Sequence, residues 1–317
     1  MIYMKTGTTN NGGFFCLLCL FLLGCNVSTD NARIMFAGDL MLDRGVRKEI
    51  EKHSPDFLFS DLKKILDHSD LTIANFESTA CDTSLRPIRK QFKFRTNPDW
   101  LSAIYNAGIH YVTIANNHSF DFGHEGFRQT IVNLQGHHIA PIGFCNDSTS
   151  VCKPELIHVK GNNIAVFASS LVSQNNKYIC TESVSKLTEQ IIAFKKNNPG
   201  WLVCVNLHWG IEMNLKPTQE QVDQAHALIL AGADAVIGHH PHVVQSIEIF
   251  KGKYIFYSTG NFIFDNNYQP ANQGIIPAFS LSKGKIVSVK IIPFTITHAK
   301  PIPMGNMESE EFISLKR

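Results

Sequence analysis

The stretch Gly232-Ala233-Asp234-Ala235-Val236-Ile237-Gly238-His239-His240-Pro241-His242-Val243-Val244-Gln245 places three imidazoles within five residues at the end of a short apolar run. Histidine is the commonest neutral metal ligand, and ordinary packing at a strand end calls for no such density. Four other apolar runs close on polar groups of the same kind: Gly38-Asp39, Asn75-Phe76-Glu77, Asn116-Asn117-His118 and Leu207-His208-Trp209-Gly210. Several runs are continuously apolar, as strands buried on both faces are. Strands are expected at 33–37, 71–74, 111–115, 164–167, 202–207, 235–237, 254–257, 278–281 and 286–292. Helical spacing falls at 57–66, 100–107, 126–134, 184–196 and 217–231, the last closed by Gly232. That succession predicts an α/β fold with covered sheets, whose ligands gather beyond the carboxyl ends of the strands. Every polar cluster falls at that end, so together they read as one site.

The residue types suit a dinuclear hydrolytic centre, which needs carboxylates able to bridge, imidazoles and an amide oxygen. Asp39 and Glu77 offer carboxylates, Asn117 an amide oxygen, and His208, His240 and His242 imidazoles. His118 can act as general acid or as hydrogen-bond donor to a leaving group. Asp121 either orients His118 or caps the following helix. The expected cofactor is a divalent metal, two ions, with Mn, Fe and Zn equally suited to these donors.

The segments FAGDLMLDRGV (36–46), ANFES (74–78), ANNHSFDFGHEG (115–126), LHWGIE (207–212), GADAVIGHHPHVVQ (232–245) and YSTGNFIFD (257–265) resemble the calcineurin-like metallophosphoesterase superfamily. Within it they are most similar to the CapA family of capsule (poly-γ-glutamate) synthesis proteins. The resemblance implies a four-layer αββα sandwich with the site on strand-end loops. It implies further that Asp39 and His242 hold one metal, that Glu77 bridges, and that Asn117, His208 and His240 hold the other. Two positions depart from the superfamily pattern. Met41 stands where an imidazole is expected two residues after the aspartate, so either Asp43 compensates or that ion binds weakly. Glu77 stands where an aspartate is usual, which moves the bridge by one methylene.

Around this set, Arg44, Asn75 and Asn261 are the expected substrate contacts: Arg44 because a guanidinium suits carboxylate or phosphate, the alternative being a surface salt bridge, and Asn261 with the alternatives of hydrogen-bonding the loops around the site or making a turn. Glu212 is placed to orient His208, and Trp209 to pack. His239 stands at even odds between touching the site and facing solvent. Arg86, Arg89, Lys90, Lys93 and Arg95 read as a solvated basic run that can attract an anionic polymer. The remaining histidines read as surface or core groups. With 29 Lys and Arg against 27 Asp and Glu, and no P-loop or zinc-finger pattern, nucleic acid is not an expected partner.

The N-terminal region is of different material. Lys5 precedes an apolar run from Phe14 to Leu23, about half the roughly 20 residues a membrane span needs. That is the pattern of a secretory signal peptide, and Leu22-Leu23-Gly24-Cys25 resembles a lipoprotein cleavage site. The expected organisation is a signal over 1–25 with Cys25 lipidated, a polar tether over 26–32, and one domain over 33–317. Localisation would be the cell envelope, anchored to the membrane. Cys145 and Cys152 bracket a short loop and are the expected disulfide pair. Two functions remain open. One is a metal-dependent hydrolase or transferase that uses a metal-held hydroxide on an anionic envelope polymer or phosphorylated precursor. The other is a non-catalytic accessory protein that binds such a polymer and guides its export, alongside capsule-synthesis membrane proteins.

Overall fold

Alternation along each strand decides which core a residue enters, because successive side chains point to opposite faces. In β1 (Ala32–Leu40) Ile34 and Phe36 join one apolar cluster, while Met35 and Ala37 join another. The computed structural model describes residues 31–145, 151–172, 177–305 and 313–314. The expected signal, most of the tether and Cys25 lie outside the described residues.

After β1 come β2 (Leu71–Phe76), the short pair β3 (Thr79–Ala80) and β4 (Arg95–Thr96), β5 (Tyr111–Thr113), β6 (Ala140–Ile142), β7 (Glu155–Val159), β8 (Asn162–Ser170) and β9 (Leu202–His208). The second half adds β10 (Ala235–His239), β11 (Ile247–Phe250), β12 (Lys253–Phe256), β13 (Asn261–Ile263), β14 (Gln273–Ser282), β15 (Lys285–Thr297), β16 (Lys300–Pro303) and β17 (Ile313–Ser314). The helices are α1 (Arg44–Lys52), α2 (Lys63–Leu66), α3 (Leu101–Asn106), α4 (Gly123–Gly136), α5 (Val184–Asn197) and α6 (Gln219–Ala231).

One sheet runs β16-β15-β14-β1-β2-β5-β6, parallel from β1 to β6 and antiparallel from β1 through β14 to β16. The other runs β11-β12-β10-β9-β8-β7, with a parallel centre and antiparallel edges. Three apolar layers hold the assembly. Ile34, Phe36, Ile164, Val166, Cys204, Ile237, Phe256 and Phe279 fill the space between the sheets. Met35, Ala37, Val46, Ile104, Val112 and Phe127 pack the first sheet on α1, α3 and α4. Val203, Val205, Val236, Ile255, Leu187, Ile191 and Leu228 pack the second on α5 and α6. The architecture is therefore the expected four-layer αββα sandwich. Its continuously apolar strands exist because each face meets a different core.

Some local readings change. The expected helix at 57–66 is a 3-10 turn at Pro55–Phe59 followed by the single-turn α2. Ser60 Oγ donates to Phe57 O at 2.9 Å and closes the first turn before the second begins. The helix expected from residue 126 starts at Gly123, whose φ of +68° suits glycine. Strands β6, β7, β11, β13 and β16 are too short or too polar to announce themselves. The disulfide also differs: Cys152 pairs with Cys180, 28 residues on, and Cys145 Sγ lies 2.7 Å from Cys152 Sγ. Backbone bonds from Cys145 N to Tyr178 O and from Cys180 N to Gly143 O bring the two distant segments together.

Candidate metal centre

Adjacent parallel strands deliver the polar groups side by side. Asp39 at the end of β1 is in register with Asn75 of β2, and His239 of β10 with His208 of β9. The segment that leaves β12 and enters β13 packs directly against the ends of β10 and β1, and two positions there have no room for a side chain. A Cβ on Gly38 would lie 2.0 Å from Gly260 O, and one on Gly238 would lie 1.9 Å from Tyr257 O. Past Gly238 the chain turns through a strained loop in which His240 has φ +95° and His242 φ +57°. Left-handed backbone at such residues costs about 1–3 kcal/mol each and is typical of functional sites. Bonds from His240 N to Asp39 Oδ2 (3.3 Å) and from Met213 N to Pro241 O (2.9 Å) hold it.

The strained turn aims its imidazoles inward. Ligand atoms of Asp39, Glu77 and His208 lie within 4.8 Å of one another, as do those of Glu77, His240 and His242. Glu77 is common to both groups, the position a bridging carboxylate needs. Asn117 Oδ1 lies 2.9 Å from His208 Nε2, so the amide stands beside the first group. Asn261 Oδ1 accepts from His242 Nδ1 at 2.9 Å, which leaves Nε2 facing Glu77 Oε1 at 3.7 Å. Glu77 is fully buried, and neither of its carboxylate oxygens has a hydrogen-bond partner among the described residues. His240 Nδ1 is likewise without one. A buried carboxylate that meets no donor costs several kcal/mol unless a cation compensates it. These orphaned acceptors, with two carboxylates, an amide oxygen and imidazoles around them, fit divalent cations.

The electrostatics agree. Burial raises Asp39, but the imidazoles of His239 and His242 beside it hold its carboxyl well below the usual range. Burial pushes Glu77 well above that range. Burial also drives His208 down, and with the nearby His242 it takes His240 to about 4, so both offer neutral lone pairs. Burial acts on His242 as well, but the charge of Glu77 and the Asp39 carboxylate push it up to about 10.

Beside the centre, His118 Nδ1 lies 2.6 Å from Asp121 Oδ2, and its Nε2 lies 3.8 Å from Glu77 Oε1. Asp121 therefore orients His118; α4 has no side-chain cap. Lys90, read from sequence as part of a solvated run, reaches Asp121 Oδ1 at 2.8 Å and Asn117 O at 2.5 Å. Phe94 stacks on the His118 ring at 4.0 Å between centroids, and its backbone N–H donates to Asp121 Oδ2. Nothing in the spacing announced Lys90 or Phe94, because their loop reaches the pair only in the folded chain. The rest of the basic run disperses: Arg86 and Arg89 are exposed, and Arg95 donates to the carbonyls of Thr83 and Leu85.

Several expected roles are corrected. Asn75 is buried and donates to Asp39 Oδ1 at 2.8 Å. It also contacts His208 Nδ1 at 3.2 Å and accepts from Thr113 and Asn116, so it positions ligand side chains rather than meeting substrate. Asn261 is buried too, bonded to His242 and to Ala271 O, and does the same. Glu212 is exposed, and the ring nitrogens of His208 face Asn75 and Asn117 instead. Asp43 does not compensate for Met41: its carboxylate caps α1 through Arg44 N and takes Arg47 Nε and Arg95 N. Arg44 pairs with Asp265 at 3.1 Å and lies over the Phe92 and Phe94 rings, partly exposed at the rim. Trp209 packs, as expected, with its indole N–H on Tyr257 O. A cavity of about 410 Å³ lined by Arg47, Cys81, Arg95 and Arg128 lies apart, and none of its lining residues is a candidate ligand.

The four-layer αββα sandwich with such a cluster on its strand-end loops is a fold of the metallophosphoesterase type. A structure of a phosphatase from Mycoplasma pneumoniae superposes with a TM-score of 0.56 at 14% identity, covering 84% of this chain and 94% of that one, which establishes the shared fold. The chain belongs to the bacterial capsule synthesis protein family PGA_cap, whose model matches residues 33–266. It is similar to the PGA biosynthesis protein CapA of Bacillus subtilis, 28% identical over 87% of this chain and 75% of that protein. The capsule biosynthesis protein CapA of Bacillus anthracis is also 28% identical, over 84% of this chain and 68% of its own length.

Proposed function

We propose that this chain is a metal-dependent hydrolase or transferase of capsule synthesis. Its substrate class would be an anionic envelope polymer of the poly-γ-glutamate kind or a phosphorylated precursor. Exported and lipidated at Cys25, it would act at the membrane surface beside membrane-bound capsule-synthesis proteins. The observation that carries the reading is Glu77, a fully buried carboxylate that has no hydrogen-bond partner among the described residues and is common to two groups of side chains able to hold a metal.

Asp39 and His242 would hold one ion, Asn117, His208 and His240 the other, with Glu77 shared. Bound there, the ions would activate water and stabilise charge developing at the scissile centre. His118, its Nδ1–H held by Asp121, presents Nε2 to the centre, and as the imidazolium, which Asp121 favours against the effect of burial, it would give the Nε2 proton to a leaving group. Phe94 covers one face of that ring and keeps water from it. Arg44 at the rim offers a guanidinium to a carboxylate or phosphate of the bound chain, in exchange for Asp265.

The test is turnover of γ-glutamyl polymers and phosphoesters by protein loaded with Mn or Zn, with Asp39→Asn/His240→Ala as the control. Metal-dependent cleavage that the double variant lacks supports the reading. Equally little bound metal in both proteins overturns it. The accessory reading draws on Met41, which is fully buried where the superfamily has an imidazole. Metal binding without cleavage of either substrate class would favour it.

A further inference from the structure

One metal position is short of a donor. Asp39 and His242 flank it, but Met41 turns away into the core beneath α1, where its sulfur accepts the Asp43 N–H at 2.9 Å. Asp43 is committed to the α1 N-terminus and to two arginines. With Glu77 that leaves two carboxylates and a single imidazole.

We propose that His239 supplies the missing imidazole, so that the ion beside Asp39 is held by Asp39, Glu77, His239 and His242. The inference rests on the dinuclear reading above and adds a ligand that the superfamily pattern does not predict at this position. Alternation in β10 puts Ala235 and Ile237 into the layer between the sheets, and His239 continues on that side, toward the end of β1. Its ring is buried, with Nδ1 3.4 Å from Asp39 Oδ1, the oxygen opposite the one that faces His242. That Nδ1 has no hydrogen-bond partner among the described residues. The other ring nitrogen, Nε2, lies 3.4 Å from Asn206 Oδ1, an acceptor for its proton. A ring whose far N–H is taken by an amide oxygen, and whose near lone pair faces a carboxylate across a gap, has the arrangement of a metal-bound histidine. Asn206 is an amide within the otherwise apolar strand β9, buried beside the centre, and this gives it a role.

The rival is a purely electrostatic role, in which His239 only keeps Asp39 ionised. Two measurements separate them. Equilibrium dialysis of Mn(II) against wild type, His239→Asn and His239→Ala should show two ions bound by wild type. In both variants one of the ions should bind more than about 100-fold more weakly, beyond the roughly 10- to 100-fold that losing an outer-shell partner costs, with the metal-free melting temperature little changed. Proton NMR of the Co(II)-loaded wild type should show paramagnetically shifted ring N–H signals for His208, His239, His240 and His242. This second readout stands even if the variants fold poorly. Shifted signals from His208, His240 and His242 alone, or variants that bind both ions as tightly as wild type, overturn the assignment while leaving the dinuclear reading intact. A wild type that binds no metal overturns both.

Discussion

His118 and Asp121 form a buried pair, Nδ1 to Oδ2 at 2.6 Å, that leaves only the Nε2 edge of the imidazole facing the centre beside Glu77. Asp121 is itself fixed by Lys90 and by the Phe94 N–H, so the ring is held from behind and from one face.

Replacing Asp121 with Asn removes the anionic acceptor that fixes the tautomer without changing the shape of the site. We expect kcat of the metal-loaded protein to fall about 10²- to 10⁴-fold, the range general acid–base groups supply. Bound metal should stay at the wild-type level. Loss of metal along with activity would show that Asp121 supports the Asn117 loop rather than the proton donor.

Glu77 should behave as a ligand and not as a structural group. Because its burial is uncompensated in the metal-free chain, Glu77→Gln should be at least as stable as wild type in the presence of chelator. Adding Mn at about 100 times its Kd should stabilise wild type by about 2.7 kcal/mol and the variant far less. Thermal melts with and without metal check both halves. A variant much less stable than chelated wild type would be the contrary result.

Gly238 is needed for close approach. An added Cβ would fall 1.9 Å from Tyr257 O and 2.4 Å from Trp209 Nε1, neither of which can yield without moving a strand. Gly238→Ala should lower stability by about 1–3 kcal/mol or more and also weaken metal binding, since the histidine turn begins at this residue. Urea unfolding together with metal titration reports both effects. An unchanged midpoint would contradict the geometry.

The cysteines should separate by reactivity. Burial pushes the Cys204 thiol up to about 12, against an ordinary value of 9.0, so at pH 8 its thiolate is about a thousandfold scarcer than that of an exposed cysteine. Alkylation read by mass spectrometry should leave Cys204 unmodified until the protein unfolds. The Cys152–Cys180 bridge closes a loop with a sequence separation of 28, which corresponds to about 3–4 kcal/mol of stabilisation. Cys152→Ser/Cys180→Ser should lose roughly that much in chemical unfolding.

Much of the centre could be read before folding because its chemistry sits at strand ends, and strand ends announce themselves as apolar runs that stop on polar residues. Asp39, Glu77, Asn117, His118, His208, His240 and His242 all converge as that pattern predicts. Asn75 was placed at the right strand end but given the wrong partner, whereas Asn261 bonds the loops around the site, one of the two alternatives to its reading as a substrate contact. A sequence shows that an amide is near a site, and only packing shows whether it faces inward to a ligand or outward to solvent. Asn206 was visible as a polar interruption of an apolar strand, although nothing in the chain said what it would meet.

By itself, the sequence determined α/β structure with covered strands, the strand ends that carry the site, and the donor types, because strand periodicity and residue chemistry are local properties; that the strands form two packed sheets came from the family resemblance. Tertiary structure alone decided that Lys90 and Phe94 clamp the His118–Asp121 pair, that Cys180 is the partner of Cys152, and that Met41 is core. It also decided that His239 turns toward Asp39. Each of these depends on contacts between segments distant in the chain, as does the tight passage of the 257–260 segment against Gly238 and Gly38, which sequence alone does not disclose.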